Sequence, residues 1–168
     1  VCSHFLAKRY SGSMVIPNMV DLKFWLPLRP SGFGGTRRIV FVGQMGPYHG
    51  QMEVLESLAP ILKKNKNLKL VFVGGGEMEE KLSREAGSGF ARKVKKQVVF
   101  TGQVSQERVR EILATADIGL LPLWNTPVHQ ARHPLKLLEY LAAGLVVIAN
   151  KVGEVARQIK DGENGILC

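Results

Sequence analysis

The chain has 168 residues, 45% of them apolar, a formal charge of +9 and a pI near 9.8. That suits one domain with flanking pieces and a core of ordinary size, with anionic ligands or surfaces as fitting partners. Two cysteines at the extreme ends, Cys2 and Cys168, exclude a disulfide framework or a metal cluster and fit a reducing compartment. Lys136 and Glu139 interrupt the best apolar run, so no membrane span is expected. His4, Lys8 and Arg9 break any signal-peptide core, and the expected location is cytoplasmic. Much of the lysine lies in two runs, 63–69 and 92–96, which read as solvated surface. No aromatic strand platform or groove-reading motif accompanies them, so nucleic acid is not the expected partner.

In chain order, Phe5, Leu6 and Tyr10 mark a short helix within residues 1–12, and Met14 to Ile16 a brief strand stopped by Pro17. Residues 21–36 hold Pro27, Pro30 and Ser-Gly-Phe-Gly-Gly, a linker composition. The regular body runs from Arg37. Its expected strands are Arg38–Val42, Leu68–Val73, Val98–Phe100, Ile118–Leu123, Val146–Ala149 and one at Gly165. Expected helices lie between them: Gln51–Lys66, one through Leu82 and Ala86, one capped by Ser105, Pro134–Gly144 and one near Glu154–Lys160. Strands that are apolar throughout and alternate with amphipathic helices imply an α/β domain, with a doubly wound, mostly parallel, Rossmann-like sheet. Ligands bind such sheets at the carboxyl ends of the strands. The loops to search are therefore Gly43–Gly50, Thr101–Ser105 and Trp124–His133.

Gly74-Gly-Gly76 opens a helix after a strand, as in a dinucleotide fingerprint, but Glu79 stands where the third glycine belongs. No acidic residue follows at ribose-binding distance, so a tight turn is the favoured reading. The Gly43–Gly50 loop precedes a helix whose N–H groups would face a phosphate, although its glycines serve equally for a turn. In the helix that Pro134 opens, Leu135, Leu138, Leu141 and Ala142 recur at helical spacing as the buried face. Glu139 admits two readings there. It is a surface ion pair with Lys136, worth about 0.3 kcal/mol, or a carboxylate that accepts hydrogen bonds from a ribose diol.

Val15-Ile-Pro-Asn-Met-Val-Asp21 resembles "IPNGVD", Ile39–Gly43 with His49-Gly50 resembles "vGrl…KG", and Leu70–Gly76 resembles "lvivGdG". Val99–Val104 resembles "v.f.G.v", Ala116–Pro122 "aDv.v.PS", Pro134–Gly144 "P.KllEyma.G" and Asp161–Gly165 "dg.nGll". In this order and spacing the chain resembles the C-terminal, donor-binding domain of a retaining GT-B glycosyltransferase of family 4, the group 1 type. The resemblance implies that residues 1–20 are the tail of an N-terminal domain and 21–36 a linker. Residues 37–168 are then the nucleotide-sugar domain, without its C-terminal helices and inactive when isolated.

The same resemblance implies the site. The base lies against Gly102, Gln103 and Val104, and Glu139 holds the ribose. The diphosphate lies between Gly43–Gly50 and the helix start at His133, Pro134 and Leu135. The donor is a UDP-, GDP- or ADP-sugar, transferred with retention and without a metal or other cofactor, and no catalytic residue is assigned within this domain. The acceptor, a sugar or a lipid-linked one, meets the missing N-terminal domain, and peripheral contact with the inner face of the membrane is consistent with this. Gln44 and His49 stand where the family has a basic pair, and Ala131 where it has a first glutamate. Met19 replaces a glycine. Arg132, His133 and Lys136 are the expected compensation for the missing charge. A non-catalytic nucleotide-binding relative and another GT-B enzyme, such as a sugar-nucleotide epimerase, are the alternatives.

Overall fold

The computed structural model describes residues 1–26, 35–87 and 91–168. Half of the expected linker, including Pro27 and Pro30, lies outside the described residues. The chain divides into two compact units, Leu28–Leu120 and Val1–Pro27 with Leu121–Cys168.

In chain order the elements begin with the short helices α1 (His4–Arg9) and α2 (Leu22–Trp25). Then follow β1 (Arg37–Val42), α3 (Gln51–Lys64), β2 (Leu68–Val73), α4 (Glu79–Gly87), β3 (Val98–Phe100), α5 (Gln106–Ala114) and β4 (Ile118–Leu121). The chain closes with α6 (Pro127–Ala131), α7 (Leu135–Ala142), β5 (Val146–Ala149), α8 (Val155–Gln158) and β6 (Gly165–Leu167).

In the larger unit the strands stand in the order β3-β2-β1-β4, every pairing parallel. Arg37 to Val42 pairs residue for residue with Leu68 to Val73. The inner residues of both strands are almost entirely buried, as a sheet covered on both faces requires. Phe72 stacks on Phe100 at 5.1 Å between ring centroids and tilts against Phe41 at 5.8 Å. Leu55 and Leu62 of α3 and Leu82 of α4 complete this core, all fully buried. In the smaller unit β5 and β6 pair in parallel. Leu137, Tyr140, Val147 and Val155 are fully buried there.

Several expectations differ from what is observed. Met14 to Ile16 is not a strand. Its chain is instead tied to Val1 by two backbone bonds, Val1 N to Met14 O at 2.9 Å and Ile16 N to Val1 O at 2.8 Å. The start of the expected linker forms α2, capped by Asp21, with Trp25 only 3% exposed. The run 92–96, read as solvated surface, lies in a 3-10 turn, Arg92–Gln97, pinned from beneath: the buried Gln97 amide donates to the carbonyls of Leu62, Asn65 and Leu68.

The buried face of α7 is also corrected. Leu137, Tyr140 and Ala143 point inward, whereas Leu135 is 47% exposed and Leu138, Leu141 and Ala142 are half-buried. In a helix of eight residues that is apolar nearly all round, spacing alone admits more than one inward face, and packing selects it.

Candidate functional site

The carboxyl ends of β1, β2 and β3 carry loops that are knitted together by their own backbone. Gly43 N donates to Val73 O at 2.9 Å, Met45 N to Gly75 O at 3.0 Å, and Gly74 N to Gly102 O at 3.0 Å. The approach is so close that a Cβ on Gly74, where φ is +122°, would lie 2.1 Å from the Gly43 carbonyl oxygen. The tight-turn reading of Gly74–Gly76 thus has a physical cause, the contact between neighbouring loops. Together Gly43, Gln44, Gly74–Gly76, Glu79 and Gln103 line a cavity of about 670 Å³.

The first loop ends at Gly50, whose left-handed φ of +77° starts α3. Buried Met45, and Gln51 donating through its amide to Gly46 O, hold this loop down. His49 is half-buried and its Nδ1 is shut away from solvent without a partner, while Gln44 is exposed. Gln103 is exposed, and Gly102 and Val104 are half-buried.

The residues expected from the Pro134 helix belong to the smaller unit. Thr126 caps α6, a helix not expected inside the Trp124–His133 loop, by accepting from His129 N at 3.3 Å. Trp124 stacks on His129 at 5.6 Å. Ala131 closes α6, and Arg132 follows as its exposed C-cap. His133 is 5% exposed and its ring contacts the side-chain amide of Gln158. Its carbonyl accepts from Asn18 Nδ2 at 2.6 Å. The "IPN" segment thereby braces the entry to α7, a role its asparagine did not announce in the sequence.

Lys136 and Glu139 are half-buried and do not close into an ion pair. Burial raises the Glu139 carboxyl above its ordinary value, and the Lys136 charge works against that rise. The two charges thus interact without closing a salt bridge. Among the described residues the Glu139 carboxylate has no hydrogen-bond or ion-pair partner, and burial disfavours its charge.

Side chains of Ser3, Asp21, Ser105 and Thr126 cap α1, α2, α5 and α6, whereas Gly50, Pro134 and Glu154, at the starts of α3, α7 and α8, provide no side-chain cap. In α7 the Leu137 N–H is taken by the Pro134 carbonyl at 3.2 Å, so only the N–H groups before it are left to face an anion. The basic runs lie elsewhere. Lys66, Lys69, Arg92, Lys93, Lys95 and Lys96 line an open groove of about 650 Å³ at the amino ends of β2 and β3. Among the described residues no cluster of three metal-ligating side chains occurs, and no helix is long and apolar enough to cross a membrane.

Sequence reasoning missed Glu79 as a cavity residue. Its only signal was an acidic side chain in the slot of a fingerprint glycine.

Residues 36–168 match the family model described as "Glycosyl transferases group 1". An uncharacterized glycosyltransferase of Methanocaldococcus jannaschii is 30% identical over 130 residues, covering 77% of this chain and 31% of that protein. The phosphatidyl-myo-inositol mannosyltransferase of Mycobacterium tuberculosis is 28% identical over 160 residues, covering 94% of this chain and 40% of that protein. The chain therefore spans about a third to two-fifths of the length of these curated relatives. Among solved structures, the C-terminal domain of the group 1 glycosyl transferase LpcC from Francisella tularensis superposes with a TM-score of 0.74 at 23% identity. That match covers 89% of this chain and 80% of the other. Anabaena Alr3699/HepE, solved with UDP and glucose, gives 0.72 at 20% identity over 92% of this chain and 42% of its own. The fold is that of the C-terminal Rossmann-like domain of GT-B proteins, and this chain belongs to the group 1 glycosyltransferase family.

Proposed function

We propose that this chain is the donor-binding domain of a glycosyltransferase that uses a nucleoside diphosphate sugar and transfers the sugar with retention. The observation that carries the reading is Glu139: a half-buried carboxylate with no ion-pair partner among the described residues, its ionisation opposed by burial, on a helix without a side-chain N-cap. A group kept at that disadvantage is suited to binding, and vicinal ribose hydroxyls are donors matched to an ionised carboxylate. The start of α7, with Lys136 and Arg132, supplies the positive field that a departing diphosphate needs. His133 serves as scaffold in this scheme, since its ring is turned toward Gln158. The nucleotide seen in the Anabaena protein of the same fold supports the same donor class. The acceptor is met by parts of the full-length protein outside this chain, and transfer proceeds without a resident metal.

Calorimetric titration of UDP, GDP, ADP and their sugars into the full-length protein tests the reading. Binding of at least one nucleotide, weakened about tenfold or more by Glu139→Ala, is the expected result. Equal binding by the variant would refute the assignment of Glu139, and no binding by any nucleotide would refute the function. A non-catalytic relative is favoured only by Gln44, His49 and Ala131. Release of labelled sugar from a bound donor to an acceptor separates the two.

A further inference from the structure

We infer that Glu79 reads the nucleotide's base, and that the base it selects is guanine. This rests on the nucleotide-sugar reading above and extends it to the identity of the donor.

Glu79 is the first residue of α4 and half-buried, and its carboxylate forms part of the wall of the cavity at the ends of β1 to β3. It stands over two of the glycine turns. A Cβ built on Gly75 would lie 3.4 Å from its Oε2 and 3.3 Å from the backbone nitrogen of Gln103, and one built on Gly102 would lie 3.6 Å from its Oε1. Oε1 thus borders Gly102 and Oε2 borders Gly75, beside the Gly102–Val104 backbone against which the resemblance lays the base. Among the described residues neither oxygen has an ion-pair or hydrogen-bond partner. An acid in a first helical turn also answers the helix dipole. Glu80, the next residue, is exposed, does not line the cavity, and meets that need without Glu79.

The chemistry of the bases then decides. An ionised carboxylate only accepts hydrogen bonds, and its two oxygens suit two parallel donors. Guanine alone among the common bases offers two adjacent N–H donors on its Watson–Crick edge, from N1 and the 2-amino group. Uracil sets its single N3–H between two carbonyl oxygens that a carboxylate repels. Adenine presents an acceptor at N1 beside its amino group. A site built around such a pair discriminates strongly, because the wrong base leaves a charged acceptor facing another acceptor.

The test is calorimetric titration of GDP, IDP, UDP and ADP into the full-length protein. Inosine diphosphate keeps N1–H and lacks the 2-amino donor, so it isolates one of the two bonds without any substitution. The expected result is GDP binding about tenfold or more tighter than UDP or ADP, with IDP between them. Glu79→Gln should bring GDP down to the level of IDP, while Glu80→Gln leaves the preference intact. UDP or ADP binding as tightly as GDP, or IDP matching GDP in the unaltered protein, would overturn the assignment while the nucleotide-sugar function stood. Failure of every diphosphate to bind would remove both.

Discussion

The loops at the ends of β1 to β3 and the α6–α7 segment are built by opposite means. The first is made of backbone. Its bonds run between Gly43, Met45, Gly75, Gly74 and Gly102, and its shape depends on side chains that are absent. The second is made of side chains on a short helix, where rotation by one position exchanges buried for exposed residues. A glycine turn after a strand is therefore readable from its letters, whereas the direction of a leucine or histidine on α7 is set by what packs against it.

Substitutions sharpen this contrast. The largest expected effect is on α7: Leu137→Ala, at a fully buried position, should destabilise the protein by about 2–5 kcal/mol. Leu135→Ala, on the exposed side, should stay within about 0.5 kcal/mol. Denaturant unfolding of the pair checks it, and equal losses would return the helix to the face expected from spacing. Next comes Gly74→Ala. Its Cβ would collide with the Gly43 carbonyl at a positive φ, so a loss of about 3 kcal/mol is expected by the same measurement. A near-neutral result would mean that the loops do not need their close approach.

Glu139→Gln separates function from stability. Nucleotide affinity should fall about tenfold, while the unfolding midpoint stays level or rises because a disfavoured charge is removed. Loss of stability together with affinity would mark Glu139 as a structural residue.

The smallest effect is in pH. The native Glu139 carboxyl titrates above the ordinary value of 4.5, so the folded state holds that proton more tightly than the unfolded chain. Its contribution to stability is full below 4.5 and is lost as pH rises through the raised native value. Nucleotide affinity should move the other way across that window, since the ribose contact uses the ionised form. Glu139→Gln should flatten both profiles, and unchanged profiles would exclude this group as their source.

Two other acids show why composition alone could not sort these roles. Glu154 is 5% exposed and satisfied, accepting from His4 N at 2.6 Å with His4 Nδ1 at 3.1 Å from its carboxylate. Glu139 is half-buried and has no bonded partner among the described residues. In the sequence both are single glutamates among apolar residues. Their difference is a partner 150 residues away in one case and, among the described residues, none in the other.

By itself the sequence determined the alternation of apolar strands and amphipathic helices, and with it the parallel sheet. Period and turn chemistry are local, and they leave few topologies open. It also determined the family, because glycines, the Pro134 helix start and the Asp161–Gly165 turn recur in order along the chain. Only the tertiary structure decided which face of α7 is buried, that His133 turns toward Gln158, that Asn18 braces the α7 entry, and that Glu79 lines the cavity of the glycine turns. Each of these depends on contacts between residues far apart in sequence or on competition among nearly equivalent apolar positions. No local pattern encodes either.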